Sequence, residues 1–331
     1  MKIIYLFTLI LFIPFYFKGQ YVNYSQFYSS PLNLNPAMTG VGEYGRIGFI
    51  YRNQWPSINQ GYHYISSWAD YNLSQNNFSI GLNFSNETEN VSNLSTTHIS
   101  PSLAYEINLS YKWILKSGIQ ISYTNSNFNN RNLVFYDQFG SNGVINPTAE
   151  NIINFQNKNY INLAIGILSY SKKTWLGVSI FNISEPDISF SGDTYKLERL
   201  YSFHGGYNFE NIGLSPSFHF KKISSFKQLD IGTYIKMTPL SIGIWYRGIP
   251  INDNNNLESL IGSLNLNARN FNVSYSYDYN LSELSGSSGG SHEISIIYEF
   301  NFLGKKLPPK NVRFLECPVP VSYTHLRAHE T

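Results

Sequence analysis

Histidine, serine and acidic side chains are the residue types in this sequence that could perform catalysis or bind a metal. The seven histidines are scattered, and no two have the spacing of metal ligands with an acidic residue nearby. His219 follows Ser215 and Ser217 at alternate positions and could form a dyad with a serine, while the glycine-rich run 286–290 could cradle a phosphate. No helix is predicted after that run, and serine is abundant throughout. We therefore predict a protein that is not an enzyme and that uses no cofactor or metal.

Charged side chains are unusually scarce. Only 13% of the 331 residues are charged, half of the ~25% that is usual for soluble domains, while 16% are aromatic. A soluble core this aromatic would normally be surrounded by more Lys and Glu. The net charge of +2, with no basic stretch that could neutralise a phosphate backbone, excludes nucleic acid as a partner. The single cysteine, Cys317, excludes an internal disulfide framework and a cysteine-based zinc site.

The amino-terminal residues 1–19 have the pattern of a signal peptide. Lys2 precedes an apolar run over residues 3–13 that is interrupted at Pro14, and such a run is too short for a helix that crosses a bilayer. No later segment reaches ~18 consecutive apolar residues. We predict that this segment is a signal peptide that directs export, and that any membrane-spanning part of the chain consists of strands.

Apolar and polar residues alternate with a period of two through most of the chain, as in 78–85, 212–220 and 271–279. One face of each segment is aromatic or aliphatic, and the other is small, polar and mostly uncharged. No convincing helical stripe of apolar residues occurs, so the chain is predicted to be all β. A soluble sandwich or propeller and a membrane barrel would both show this alternation.

The lengths of the connections distinguish these architectures. Short and longer links alternate along the chain, with the longest at 125–158, and outer-membrane barrels have short periplasmic turns and long extracellular loops. Strands of about ten residues also fit a tilted crossing of the bilayer, and no blade-length repeat supports a propeller. We predict an integral outer-membrane antiparallel β-barrel of about 14 strands over residues 45–302. The predicted strands are 45–54, 62–72, 78–86, 95–108, 111–124, 159–170, 174–183, 199–209, 212–221, 227–236, 240–248, 257–268, 271–280 and 291–302.

The segments on either side of the barrel have a different pattern. Residues 20–44 do not alternate well, and they could plug the lumen, dock a periplasmic partner or form a simple leader strap. Both ends of the chain are predicted to be periplasmic. Residues 303–320 contain two adjacent lysines and several prolines and are predicted to form an extended periplasmic tail. Residues 321–331 have a composition unlike the rest of the chain, so we assign them no function, and they could be non-native sequence.

A series of short motifs runs along nearly the whole mature chain. The opening motif is Tyr24–Tyr28 followed by Pro31-Leu32-x-Leu34-Asn35-Pro36-Ala37-x-x-Gly40. The others are Tyr51-Arg52-x-Gln54-Trp55, Asp70, Ser215-Pro216-Ser217, Gln228-x-Asp230, Tyr246-Arg247, Ser276-Tyr277-Asp278-Tyr279, Ser282-x-Leu284, Gly290-Ser291-His292-Glu293-Ile294 and Cys317-Pro318. In this order the motifs resemble the signatures of the PorP/SprF membrane proteins. The sequence departs from that family at Met38-Thr39, where an aromatic and a small residue are usual.

The resemblance implies a non-enzymatic outer-membrane component of the type IX secretion system of Bacteroidetes. Such a protein is expected to help secrete or anchor surface adhesins that carry a C-terminal sorting domain, including adhesins of gliding motility. It is also expected to link to periplasmic components of the machine, some of them associated with peptidoglycan. The implied partners are therefore a secreted adhesin, periplasmic machinery and outer-membrane lipid.

Two other functions stay open. A FadL-like transporter of hydrophobic compounds shares a barrel of similar size, and its hatch is similar to the Asn35-Pro36-Ala37 motif. That function needs an apolar path through the lumen, whereas the inward faces here are Ser, Asn and Gly. A general diffusion porin is the other alternative.

The motif residues have two interpretations. Tyr51, Trp55 and Trp245 are either family-specific contacts or members of the aromatic belts found at the interfaces of any barrel. Most of the charged residues face inward by alternation, where they could form a structural network across the lumen, contact a partner or control gating. The candidate site residues are Asn35, Pro36, Arg46, Arg52, Gln54, Trp55, Asp70, Asp230, Arg247, Asp278, His292, Glu293 and Glu299.

Closure of the barrel requires the first strand to pair antiparallel with the last strand. Alternation turns Arg46 and Arg52 inward on the first strand, and Glu293 and Glu299 inward on the last. One and the same register places Arg46 opposite Glu299 and Arg52 opposite Glu293. We therefore predict that this register closes the barrel, and that each opposite-charge pair contributes ~0.2–1 kcal/mol.

Overall fold

Strands dominate the part of the chain that the computed structural model describes. Three short helical turns precede them: Phe27–Ser29 and Pro36–Met38 are 3-10, and Pro31–Leu34 is α-helical. The strands are β1 (Gly45–Gln54), β2 (Tyr62–Asn72), β3 (Phe78–Glu89), β4 (Leu94–Asn108), β5 (Ile114–Phe128), β6 (Lys158–Tyr170), β7 (Thr174–Phe181), β8 (Leu200–Tyr207), β9 (Leu214–Ile223), β10 (Phe226–Met237), β11 (Leu240–Arg247), β12 (Ser259–Ala268), β13 (Phe271–Asn280) and β14 (Ser291–Phe300). The described residues are 24–42, 45–58, 61–73, 77–90, 92–128, 138–139, 157–190, 194–248, 259–281 and 288–301.

The described strands form a closed barrel. Each strand pairs antiparallel with its neighbours in sequence, and β1 pairs with β14, so no strand edge is left open. Closure is required in lipid because an open edge would leave backbone N–H and C=O groups without hydrogen-bond partners. The prediction of an antiparallel all-β barrel is confirmed, with fourteen strands whose ends differ from the predicted ones by no more than four residues.

The links between strands separate into two rims. On the rim where β1 begins, all links are short; they are 73–77, 109–113, 171–173, 208–213, 238–239 and 269–270. On the opposite rim most links are longer, for example 55–61 and 182–199. The exceptions are the four-residue link 90–93 between β3 and β4 and the two-residue link 224–225 between β9 and β10. By the general pattern of outer-membrane barrels, we call the first the periplasmic rim and the second the extracellular rim.

Several sequence predictions concern residues outside the described part of the chain. The signal peptide at 1–19 and the tails at 303–320 and 321–331 lie there. Most of the long link predicted at 125–158 also lies there, and β5 extends through its first residues to Phe128. Among the described residues, no helix has the length and apolar character needed to cross a membrane.

The seam between β1 and β14 has the predicted register. Arg46 lies opposite Glu299 and Arg52 lies opposite Glu293, and the Arg52 guanidinium is 3.4 Å from the Glu293 carboxylate. Arg46, however, forms its salt bridge with Asp70, at 2.5 Å. Asp70 lies opposite Arg46 in the register of β1 with β2. Asp70 is buried inside the barrel, whereas Glu299 is only half-buried at the rim.

The alternation sends apolar side chains out to lipid and small polar side chains into the lumen. On β12, Leu260, Leu264 and Leu266 are exposed, while Ser263 and Asn265 are buried. The barrel wall therefore has its hydrophobic surface on the outside, as expected for a membrane barrel. Its inner surface needs a partner that can offer hydrogen bonds.

Residues 24–42 fill this polar lumen, and we call them the plug. Tyr24 contacts Arg247 and Tyr64 near the extracellular rim, whereas Gly40 contacts Asp70 near the periplasmic rim. The plug therefore runs down the lumen before the chain turns into β1. Tyr24, the first described residue, lies in the extracellular half of the barrel. Of the three alternatives for residues 20–44, the described part therefore has the position of a plug, while the predicted periplasmic location of the chain end concerns residues outside the described part.

A disulfide across the β1–β14 seam tests the register. In a Cys317→Ser background, Phe49→Cys and Ile296→Cys are opposite each other on the lipid-facing side, where opposed Cβ atoms are ~4.5–5.5 Å apart. We expect rapid oxidation to a cross-link in the folded barrel, measured by gel mobility and peptide mass. The control pair, Phe49→Cys with Ile294→Cys, is offset by two residues, with Cβ atoms ~7–8 Å apart. Equal or faster cross-linking of this control would contradict the register.

Candidate functional site

Five candidate residues form a charged cluster near the extracellular rim, which we call the upper clamp. It consists of Arg52, Asp230, Arg247, Asp278 and Glu293, from β1, β10, β11, β13 and β14 respectively. All five stand at inward positions of their strands and all are buried. They come together because closure of the barrel places β1 beside β14, and β13, β12, β11 and β10 follow in that order around the wall.

The upper clamp is one continuous ion-pair network. Asp278 joins its two guanidinium groups, since its Oδ2 lies 3.0 Å from Nη2 of Arg52 and 3.2 Å from Nη1 of Arg247. Arg247 also pairs with Asp230, directly opposite on β10, with 3.2 Å between Nε and Oδ1. Arg52 extends the network to Glu293 across the seam.

The first residues of the plug complete this network. The backbone N–H groups of Ser25 and Gln26 donate to the two carboxylate oxygens of Glu293, at 2.8 and 2.9 Å. Arg52 donates to the Ser25 hydroxyl, and Arg247 donates to the backbone carbonyl of Tyr24. Hydrogen bonds to an ionised group are stronger than those between neutral groups, so the entry of the plug is firmly bound.

The buried carboxylate of Glu293 links the upper clamp to the plug. A buried charge without sufficient hydrogen-bond and charge partners costs several kcal/mol. The two backbone N–H groups of the plug supply hydrogen bonds to Glu293 that the network of the wall does not. The barrel and the plug therefore stabilise each other.

Arg46 and Asp70 form a second cluster, the lower clamp, near the periplasmic rim. The Asp70 carboxylate accepts from Arg46 at 2.5 and 3.0 Å and from the backbone N–H of Gly40 at 2.8 Å. The Lys116 ammonium donates to the carbonyl of Gly40 at 3.0 Å. Gly40 has a φ of +62°, and a Cβ there would be 2.5 Å from that of Ser79, so this position requires glycine.

Asn35 anchors the middle of the plug to the wall. Its Nδ2 donates to the carbonyls of Ile167 and Val178, at 3.1 and 3.2 Å, and lies 3.2 Å from Nε2 of His204. Its Oδ1 accepts from the backbone N–H two residues later, at 2.8 Å, and so caps the helical turn that begins at Pro36. This position uses both ends of the amide, because the donor end binds the wall while the acceptor end shapes the plug.

Two glycines of the wall make room for this anchor. A Cβ at Gly166 would lie 1.8 Å from Oδ1 of Asn35, and a Cβ at Gly118 would lie 2.3 Å from the carbonyl carbon of Pro36. Either methyl group would force the plug away from its place. Gly262 on β12 differs, because a Cβ there would meet nothing within 4 Å.

Aromatic packing fills the lumen between the two clamps. Phe27 and Tyr28 of the plug lie edge-on to Trp245 and Tyr234, with ring centroids 5.1 and 4.9 Å apart. Trp245 is only 2% exposed, so its predicted place in an interfacial belt is wrong. The reason is the alternation of β11, where Ile244 and the other outward residues face lipid and turn Trp245 inward.

Besides Asn35 and Pro36 of the plug, four candidate residues lie outside the clamps. Gln54 ends β1 and Trp55 begins the following link, both at the extracellular rim. His292 faces away from the lumen, and its Nδ1 lies 2.8 Å from the hydroxyl of Tyr275. Glu299 is half-buried beside the seam.

Other contacts of the plug were missed by sequence reasoning. Trp68 donates its indole N–H to the carbonyl of Ser29 at 2.9 Å, and Ser179 donates to the carbonyl of Leu34 at 2.8 Å. Nothing in the sequence marks these pairs, because any residue carries a backbone carbonyl. Lys116 did have a signal, since it is a rare charge at an inward position of β5.

His219 faces the lumen, and the serine that it contacts is Ser202, not the Ser215 of the predicted motif. Its Nε2 lies 3.0 Å from Oγ of Ser202, which also lies 3.1 Å from Nδ1 of His204. Its ring packs against Phe27 of the plug, with centroids 5.0 Å apart, and the hydroxyl of Ser215 donates to another residue. The described residues include no group of His, Cys, Asp and Glu side chains that could hold a metal ion.

Little space is left beside the plug. A cavity of about 20 Å³ lies next to Phe27 and Leu34 and is lined on the wall by Ser202, His219 and Lys221. Such a volume has room for about one water molecule. In the described part of the lumen, the plug occupies the space between the two clamps.

Comparisons with known proteins place this arrangement in context. A family model described as type IX secretion system membrane protein PorP/SprF matches residues 16–298. The solved structure of the CymD monoaromatic hydrocarbon channel is similar with a TM-score of 0.54 and 12% identity, over 82% of this chain and 93% of that chain. A deltaS2S3 mutant of the TodX monoaromatic hydrocarbon channel has a TM-score of 0.52 and 10% identity, over 82% and 94%. At these identities the likeness shows the barrel fold alone. No curated protein matches the sequence.

Glu293→Gln is expected to destabilise the barrel by about 3–5 kcal/mol, the usual cost of breaking a buried ion pair from one side. The amide keeps the size of the side chain, but it cannot accept both backbone N–H groups and it removes one charge partner of Arg52. Urea titration of the barrel refolded in lipid vesicles measures the free energy of unfolding. The control is Glu210→Gln, whose exposed pair with Lys172 contributes about 0–1 kcal/mol. Equal losses in the two variants would contradict the upper clamp.

Gly118→Val is expected to displace the plug while the barrel still closes, because the new side chain occupies the place of the plug backbone at Pro36. Single-channel conductance in planar bilayers should rise. The control is Gly262→Val, the same substitution at a position with open space, and its conductance should equal that of the wild type. If Gly118→Val folds, as judged by heat-modifiable gel mobility, and its conductance is unchanged, the wall does not seat the plug in this way.

Proposed function

The chain belongs to the PorP/SprF family of type IX secretion system membrane proteins, and from this premise we propose that it helps to secrete or anchor adhesins at the cell surface. Its clients are secreted proteins with a C-terminal sorting domain, including adhesins of gliding motility in Bacteroidetes. The turns of the periplasmic rim are the part of the barrel available to periplasmic components of the machine, including those associated with peptidoglycan.

The filled lumen is the observation that carries the mechanism. The plug is bound at the upper clamp through Glu293, in the middle through Asn35, and at the lower clamp through Asp70. Moving it out of the way would break all three sets of buried hydrogen bonds. We therefore propose that the barrel is a closed platform: the adhesin docks on the extracellular rim, and another component of the secretion system provides its passage.

A FadL-like transporter and a general porin both require a route through the lumen. Serine and asparagine are common at the wall positions that face the lumen, beside aromatic and charged residues, and the plug occupies the space between them. The similarity to hydrocarbon channels concerns the fold alone. These observations favour a role in secretion over the passage of small molecules.

Deletion of the gene from its native host is expected to abolish the surface display of one or a few adhesins. Uptake of fatty acids should be unchanged, because the proposed platform carries no small molecule. Surface proteolysis with mass spectrometry measures display, and a labelled long-chain fatty acid measures uptake. Normal display with lost uptake would support the FadL-like function instead. Normal display with reduced leakage of small hydrophilic solutes would support a porin.

A covalently locked plug distinguishes a platform from a passage. Ser29 of the plug and Ser295 of β14 are in contact, with their Oγ atoms 3.2 Å apart. Ser29→Cys with Ser295→Cys, in a Cys317→Ser background, should therefore form a disulfide outside the cytoplasm. We expect normal adhesin display with the plug locked, as in the two single-cysteine controls. If locking abolishes display and a reductant restores it, the adhesin passes through this lumen and the platform proposal is wrong.

A further inference from the structure

Two lysines face outward at the extracellular end of the β9–β10 hairpin, and we call them the lysine pair. Lys222 stands near the end of β9 and Lys227 near the start of β10, directly opposite each other in the register. Both are exposed, whereas the adjacent Lys221 and Gln228 are buried in the lumen. The alternation of the two strands therefore places the lysine pair on the outer surface of the barrel.

Two like charges at this position are unfavourable on their own. Opposed residues of antiparallel strands have Cβ atoms ~4.5–5.5 Å apart, and like charges there destabilise the sheet. In the described part of the chain, neither ammonium group of the pair forms a salt bridge. Arg199, an exposed cation just before the neighbouring strand β8, is balanced by Glu185 at 3.3 Å. An anion bound between the two ammonium groups would relieve this repulsion, and the described residues do not supply one.

The lysine pair lies at the end of the sheet, beside a tight turn. β9 and β10 are joined by only two residues, 224–225, and Lys222 and Lys227 each lie two positions from this turn. The two ammonium groups therefore lie where the outward face of the hairpin ends.

The outer surface below the lysine pair is apolar. Phe218 and Phe220 continue the outward face of β9 towards the periplasm, and Leu229 and Ile231 continue that of β10. Such a surface contacts acyl chains in the bilayer. Lysine side chains directly above it extend their ammonium groups into the headgroup layer, which on this rim belongs to the outer leaflet.

We propose that the lysine pair binds a phosphate of a phosphorylated glycolipid in the outer leaflet. The two ammonium groups donate to the phosphate oxygens and balance their charge, while the acyl chains of the same lipid lie on the apolar strip beneath. Free phosphate has the same charge, but it gains nothing from that strip. The proposal depends on the outer-membrane orientation of the barrel and not on its role in secretion.

Native mass spectrometry of the full chain in detergent tests this site, with lipid A as the probe. The double variant Lys222→Gln/Lys227→Gln is expected to bind lipid A about tenfold or more weakly than the wild type, because each lysine near an anionic surface contributes appreciably to lipid binding. Chemically dephosphorylated lipid A should bind the wild type and this variant equally weakly. If the wild type binds dephosphorylated lipid A more tightly than the variant by the same factor as it binds lipid A, the proposal is overturned.

Matched controls separate lipid binding from loss of charge or loss of fold. Lys172→Gln/Lys173→Gln removes two exposed charges at the periplasmic rim and should bind lipid A like the wild type. In lipid-free detergent, Lys222→Gln/Lys227→Gln should unfold at the same temperature as the wild type or a higher one, because the like-charge repulsion is gone. Equal lipid A affinity in the two double variants would overturn the proposal. Full competition by inorganic phosphate at matched concentration would also overturn it, since the site would then be a simple anion site.

Discussion

The buried carboxylate of Glu293 is the constraint on which the rest of the lumen depends. Its partners come from two separate parts of the molecule: Arg52 lies across the seam, and the N–H groups of Ser25 and Gln26 belong to the plug. A carboxylate buried without such partners would cost several kcal/mol. The register of the seam, the upper clamp and the entry of the plug are therefore coupled, because each of them places a group that this one charge requires.

The inner surface of the wall also depends on the plug. A membrane barrel has its apolar surface on the outside, so the many polar residues of its interior need partners. The plug packs Phe27 and Tyr28 against the inward wall residues Trp245 and Tyr234. It also supplies backbone carbonyls that accept from polar side chains of the wall. Gly118 and Gly166 complete the fit because larger residues would occupy the space of the plug.

A lumen occupied in this way leaves the surface of the barrel as the place for the interactions that we propose. In that proposal the adhesin contacts the extracellular rim, the secretion machinery contacts the periplasmic rim, and lipid binds the lysine pair of Lys222 and Lys227. The rare charges inside the barrel contact the plug instead.

Alternation and link lengths determined the barrel and, to within four residues, its strand ends, because these properties depend on neighbouring residues and on adjacent strands. The inward charges at the two ends of the barrel determined the seam register of Arg52 with Glu293. Alternation also placed the motif charges in the lumen. What those charges bind was decided only by the tertiary structure, since their partners include backbone groups of residues 24–42, and a backbone group has no residue-specific signal. The same reason applies to Trp68 and Asn35. The depth of Tyr24 was decided there too, because only the closed barrel shows that the chain crosses the lumen before β1 begins.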